Sequence, residues 1–374
     1  MTDFFFYGSL CHPPLLRVVL GREVRVVPAC LPDHSVAWAA DGAFPMIGQG
    51  GAGADGLWVP GLSEADVARL DFYEAGFAFV TREMTIETAE GPRRARAYFP
   101  EPGRWEPGAA WSLSDWVARW GEIAVATAGD FMRQMGVVPA ERLWARYGMM
   151  LMRGGARVRA GHEATRLTTR RRPAPDDVAE TRVRQVYANY FAVEEFDLRF
   201  RRFDGTMSPE VNRGVFLCGD ATVVLPYDPV RDRVLLIEQF RMGPHARGDR
   251  CAWLLEAPAG RVDAGETPEE TARREAEEEA GLALHALLPA SNHYPSPAAM
   301  GEYLYTYIGL ADLPDDAAGL GGLLTEAEDI RAHVLPFERL MEMVETGEVN
   351  TGPLIVLAYW LDRNRARLRA EAGA

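Results

Sequence analysis

The stretch that decides the reading is Ala257-Pro-Ala-Gly-Arg-Val-Asp-Ala-Gly-Glu-Thr-Pro-Glu-Glu-Thr-Ala-Arg-Arg-Glu-Ala-Glu-Glu-Glu-Ala-Gly-Leu282. Thr267 stands before Pro268, and Glu270 follows three residues after Thr267, which makes a capping box with proline at the first helical position. Gly281 is placed to stop the same helix. The spacing therefore predicts a helix over 268–280, entered from a glycine-rich loop. Glu275, Glu278 and Glu279 fall at i, i+3 and i+4, so three carboxylates share one face. Like charges at this spacing cost an isolated helix roughly a few tenths of a kcal/mol per pair. A solvated acidic face is the simple alternative; the loop and caps around it favour a metal site. Oxygen-only ligands suit magnesium, or manganese, over zinc. Magnesium on carboxylates completes its shell with substrate phosphates, so the chemistry implied is hydrolysis of a phosphoanhydride.

Outward from that stretch, 374 residues suggest two to three domains at about 150 residues each. A 48% hydrophobic content with 9 Trp, 16 Phe and 12 Tyr excludes general disorder. With 40 basic against 54 acidic residues the net charge is −14, so neither nucleic acid nor an anionic membrane is expected as a partner. All 40 basic residues are Arg. The absence of Lys excludes a P-loop, a pyridoxal phosphate Schiff base and any lysine nucleophile. Cys11, Cys30, Cys218 and Cys251 are scattered without a CxxC pair, as expected of reduced thiols. The aromatic run Phe4–Tyr7 is broken by Gly8 and Ser9, and the longest apolar run, Leu354–Leu361, falls far short of the ~20 residues a bilayer needs. A soluble, cytoplasmic protein is the expectation.

Three regions separate: 1–105, rich in short β segments with one helix over Ser63–Tyr73; 106–179, a helical connector and Arg-rich linker; and 180–374. In the second, seven Arg between Arg153 and Pro175 face only Glu163. A solvated linker is preferred there to an RNA-contacting patch, because no aromatic platform is interleaved. In the third, Thr222–Leu225 and Val234–Glu238 flank a turn at Tyr227–Asp232, a strand follows at Tyr303–Leu310, and two helices close the chain.

Gly260, five residues, Glu266, seven residues, then Arg274-Glu275-Ala276-Glu277-Glu278-Glu279-Ala280-Gly281-Leu282 resembles the Nudix hydrolase box. The resemblance implies an α/β/α sandwich with a mixed sheet, the box forming its metal site. The flanks are similar to ADP-ribose and nucleoside-diphosphate-sugar pyrophosphatases: Glu238-Gln-Phe-Arg241, Trp253–Gly260, Tyr294-Pro-Ser-Pro297 and Thr325-Glu-Ala-Glu-Asp-Ile330. By that resemblance Glu275, Glu279, Glu328 and the Ala259 carbonyl bind magnesium (or manganese), with Glu278 close by. Glu326 is the candidate base, Arg274 orders the box carboxylates, and Arg241 and Glu302 contact substrate. Relatives usually carry two glycines where Ala298-Ala299 stand here.

At the amino end, Tyr7-Gly8-Ser9-Leu10 forms a tight turn after a strand, Phe44-Pro45 follows, and Leu70-Asp-Phe-Tyr-Glu74 ends a helix. A glutamate among apolar neighbours has a raised pKa suited to proton transfer. Together these resemble the gamma-glutamylcyclotransferase superfamily over residues 3–105. That implies a small β-barrel in which Tyr7, Gly8, Ser9 and Leu10 hold a gamma-glutamyl group and Glu74 moves the proton. Ala75 and Phe79 depart from its usual pattern.

The fold expected is thus α/β (α+β): a small barrel, a helical connector and a Nudix sandwich, an arrangement that also resembles tellurite-resistance-type Nudix fusions. The function expected is magnesium-dependent hydrolysis of a nucleoside diphosphate sugar, ADP-ribose to AMP and ribose 5-phosphate. Gamma-glutamyl cyclisation releasing 5-oxoproline, and a nucleotide-sugar sensor, are the alternatives. The segment 183–203 alternates as a sheet ahead of the Nudix core, and the resemblance implies a homodimer paired through it in the carboxy-terminal region.

Overall fold

The computed structural model describes residues 1–40, 42–164, 166–322 and 328–374. The chain divides into two compact units, Met1–Ala164 and Thr165–Ala374.

In the first unit five strands close a barrel in the order Thr2–Phe6, Ala54–Leu62, Val27–Leu31, Phe79–Thr88 and Gly91–Pro100. The closure is a parallel pairing of Phe4 with Arg96. His34–Ala39 forms the centre of a second, three-stranded sheet. The helix Glu64–Glu74 is capped by Ser63, whose side chain accepts from the Asp66 amide while Asp66 accepts from the Ser63 amide. Arg22 clamps Asp66 from outside with bonds of 2.6 and 3.0 Å.

The helices read from sequence as a connector pack into this unit's core. Trp116, Ala128, Phe131, Leu143 and Met150 join Phe4, Leu15, Leu70 and Tyr73 in one buried cluster. A Cβ on Gly76 would lie 2.4 Å from Trp144 Cδ2, so only glycine lets that ring close on the end of the Glu74 helix. The first part of the Arg-rich run also departs from a solvated linker. Arg153 and Arg157 lie on the helix Tyr147–His162, Arg153 is buried, and Arg157 Nη1 donates to buried Asp130 over 2.5 Å. A buried carboxylate on the neighbouring helix needs such a cation.

The second unit opens with an antiparallel sheet of Val178–Ala188, Ala192–Phe200 and Val211–Leu217, the middle strand central. Among the described residues its main sheet has eight strands and is mixed: Ala221–Asp228 runs parallel to Leu304–Leu310 and antiparallel to Arg233–Phe240. The period-2 alternation of strand side chains builds both faces. Val224, Leu235 and Ile237 meet Ala272 and Ala276 of the acidic helix. Val223, Leu225, Val234 and Leu236 meet Leu340, Leu357 and Leu361 of the closing helices Phe337–Thr346 and Gly352–Glu371. The result is a sheet sandwiched between helices.

At the turn joining Ala221–Asp228 to Arg233–Phe240, buried Asp228 accepts from the amides of Val230, Arg231 and Leu313 at 2.9–3.0 Å. No helix among the described residues is long and apolar enough to cross a membrane.

Candidate active sites

The helix Pro268–Ala280 forms as its caps dictate. The Thr267 hydroxyl accepts from the Glu270 amide at 3.2 Å, Glu270 returns a bond to the Thr267 amide, and Gly281 stops the helix at φ 64°. This fixes the acidic face against the strand Ala259–Arg261. The Ala259 amide donates to Glu279 Oε2 at 2.8 Å, and Glu279 is buried. Glu275 occupies the space that Gly260 leaves: a Cβ there would stand 1.8 Å from Glu275 Oε1.

Arg274 spreads its guanidinium over three carboxylates, donating to Glu275 at 2.7 Å, Glu278 at 2.9 Å and Glu266 at 3.1 Å. Against the cost of its own burial, its bonds to Glu266 and Glu278 and the charge of Glu275 raise its pKa. Burial pushes Glu275 up to about 7, opposed by Arg274 and aided by the charges of Glu278 and Glu328. Burial likewise pushes Glu279 up to about 8, opposed by the Ala259 amide and aided by Glu275 and Glu328. Glu275, Glu279 and Glu328 thus repel one another at one place.

That donor set fits a hard divalent cation: its side chains are all carboxylates, and a cation between them would cancel their repulsion. Among the described residues no three such side chains already stand as a ligand cluster. Arg274 holds Glu275 and the Ala259 amide holds Glu279.

Two other residues singled out in the sequence lie nearby. Arg241 Nε donates to Glu256 Oε2 at 2.6 Å, and its charge reaches Glu279. Glu302 accepts from the Cys218 thiol at 3.4 Å, and its pKa is raised chiefly by burial. Glu326 lies outside the described residues. Sequence reasoning missed Glu256 as the anchor of Arg241. It also missed Arg261, which occupies an unspecified position of the box and gives no sequence signal.

The first unit holds a cleft of about 410 Å³, mouth included, lined by Tyr7, Gly8, Ser9, Leu10, Phe44, Pro45, Glu74 and Phe79 among others. The residues singled out there do converge. Gly8 is required by packing: a Cβ would meet Pro45 Cγ at 2.2 Å. The Tyr7 hydroxyl donates to the Tyr98 carbonyl at 2.7 Å, and the Tyr98 hydroxyl donates to Asp71 at 2.7 Å. Glu74, at the helix's last residue, is pushed up to about 8, first by burial and then by the Asp71 charge.

Comparison with known proteins matches two separate stretches of the chain to family models. Residues 219–355 match the family model described as NUDIX domain, and residues 4–118 match that described as Gamma-glutamyl cyclotransferase, AIG2-like. The ADP-ribose pyrophosphatase of Escherichia coli (strain K12) is 39% identical over 186 residues, 50% of this chain and 88% of the relative. That of Haemophilus influenzae is 35% identical over 186 residues, 49% of this chain and 85% of the relative. The GDP-mannose pyrophosphatase of Enterobacter sp. (strain 638) is 32% identical over 173 residues, 46% of this chain and 88% of the relative.

Proposed function

This chain belongs to the Nudix hydrolases, of the ADP-ribose diphosphatase type with a gamma-glutamyl cyclotransferase-like domain ahead of it, and we propose that it splits ADP-ribose into AMP and ribose 5-phosphate using magnesium. The coarser activity, hydrolysis of a nucleoside diphosphate sugar, follows from the family. One observation supports the metal: Glu275 and Glu279 are set against Gly260 and Ala259, with Glu328 near enough to raise the pKa of both. We assign Glu275, Glu279, Glu328 and the Ala259 carbonyl as its ligands, with Glu278 beside them. Magnesium, when bound, supplies positive charge for the phosphate oxygens and a more acidic water.

The chain's own residues do the rest. Arg274 fixes the carboxylates through its bonds to Glu266, Glu275 and Glu278. Arg241, oriented by Glu256, offers its remaining donors to the pyrophosphate. Glu326 is assigned as the base that orients water, and Glu302 as a contact to the sugar.

The three-stranded sheet and its turns expose Val178, Val186, Tyr187, Tyr190, Phe200 and Phe203, which supports a homodimer through this unit. Four cysteines without disulfides support a cytoplasmic setting. A panel of nucleotide sugars with magnesium, read by AMP or sugar-phosphate release, tests the assignment; turnover of none of them refutes it. Light scattering that shows only a species near 41.4 kDa at micromolar concentration would remove the dimer.

A second reading, gamma-glutamyl cyclisation in the first unit, is favoured by one observation. Glu74 opens on the Tyr7–Leu10 cleft with a pKa of about 8, so it can exchange a proton near neutral pH. Release of 5-oxoproline from gamma-glutamyl amides tests it.

A further inference from the structure

The strand that backs Glu275 and Glu279 ends at Arg261, one residue beyond Gly260. Its guanidinium lies over two aromatic rings, 4.3 Å from the centroid of Tyr190 and 4.7 Å from that of Phe191. Both rings come from the turn between the strands Val178–Ala188 and Ala192–Phe200. Phe191 is steadied in turn by Phe216, with centroids 4.6 Å apart. Stacking of this kind fixes the plane of an arginine and leaves its edge to donate.

One atom of that edge is left over: Arg261 Nη1 is buried and has no hydrogen-bond partner among the described residues. A buried charged donor without an acceptor is an expensive arrangement, and a bound acceptor relieves it. The surroundings say which acceptor. Arg261 pairs in register with Ala221, which places Asp220 next along the neighbouring strand. Glu302 feels the charges of both Arg261 and Asp220. The charges of two carboxylates already reach this guanidinium, which favours a neutral hydroxyl-bearing group there over a phosphate. A neutral group with hydroxyls fits both partners: its oxygen accepts from Nη1 and its hydroxyl hydrogen goes to Glu302.

We infer that Arg261, together with Glu302, is a specificity-determining residue that reads the hydroxyls of a sugar ring in the nucleoside diphosphate sugar. This rests on the nucleotide-sugar reading above. The diol could belong to the nucleoside ribose or to the distal sugar, and the two products separate these sources.

The test uses the full chain with magnesium, in wild type, Arg261→Leu and Arg261→Gln. For ADP-ribose, Arg261→Leu should raise KM by about 10- to 100-fold with kcat within about twofold, as expected when a charged donor to bound substrate is lost. Arg261→Gln, which keeps an N–H donor, should recover part of that loss. It also carries the test if the leucine variant does not fold. Weakened competition by AMP places the diol on the nucleoside; weakened competition by ribose 5-phosphate places it on the distal sugar; either supports the assignment. An unchanged KM in a folded variant overturns it. So does an equal loss of competition by inorganic pyrophosphate, which would make Arg261 a phosphate contact. If the wild type turns over no nucleotide sugar, the reading beneath it falls first, and that result needs no variant.

Discussion

The Ala259 amide donates to Glu279 Oε2 across 2.8 Å, so the loop that enters the acidic helix and that helix's most buried carboxylate hold each other in place. Because the bond needs only an acceptor oxygen, the geometry and the charge of this residue can be separated by substitution.

Glu279→Gln keeps an oxygen for the Ala259 amide and removes the charge. Turnover of ADP-ribose should fall at least ~10²-fold, the scale of losing one electrostatic contribution at a metal site, while the melting temperature changes little. AMP release measured beside a thermal melt checks both halves. Wild-type turnover would reject Glu279 as a ligand.

Gly260→Ala tests the neighbouring carboxylate without touching it. The added methyl would stand 1.8 Å from Glu275 Oε1, inside van der Waals contact, so Glu275 has to swing away. The magnesium concentration for half-maximal hydrolysis should rise, by roughly tenfold or more if a ligand carboxylate is displaced. A magnesium titration that overlays the wild type would show that Glu275 does not act from this position.

These two contacts also mark what the sequence could reveal. The acidic helix was legible because its signals are local: Thr267, Pro268, Glu270 and Gly281 specify its ends without reference to the rest of the chain. The apolar runs Thr222–Leu225 and Val234–Glu238 on either side of a turn likewise marked two neighbouring strands of the main sheet. Relations set by packing were not legible. Gly8 reads as a ligand-approach glycine, yet Pro45, thirty-seven residues away, is what excludes a side chain there. Gly76 and Trp144 lie sixty-eight residues apart, and Asp130 and Arg157 sit on two different helices that pack together, so an Arg-rich helix resembled a linker. Arg261 was invisible for a different reason: the motif leaves its position open, and its importance lies in two rings seventy residues earlier.

Glu326 and Glu328 are two residues apart and are assigned different work. Glu328 already shares an electrostatic field with Glu275 and Glu279, as a metal ligand should. Glu328→Gln should therefore raise the magnesium requirement. Glu326→Gln should lower the maximal rate sharply and leave that requirement nearly unchanged. Identical magnesium titrations for the two variants would end the division between ligand and base.

Glu74 makes the stability of the first unit depend on pH in an unusual direction. Burial, aided by Asp71, lifts its pKa from 4.5 to about 8 on folding. Between those values the unfolded chain has released the proton and the folded chain still holds it. The unfolded state then binds fewer protons, so stability falls as pH rises, by up to about 1.4 kcal/mol per pH unit for this one group. Below 4.5 both states are protonated, and above about 8 both are ionised, so the contribution is flat at each end. Glu74→Gln stays neutral throughout and removes the slope. Seven of the nine tryptophans lie in Met1–Ala164, so fluorescence-detected urea unfolding reports mainly on this unit. Subtracting the variant's unfolding free energy from the wild type's cancels the other titrating groups. That difference should decline steadily from pH 5 to pH 8, favouring the variant at the alkaline end. A difference that is level across this range would mean that Glu74 is ionised in the folded protein, and the proton-transfer role assigned to it in the cleft would lose its physical basis.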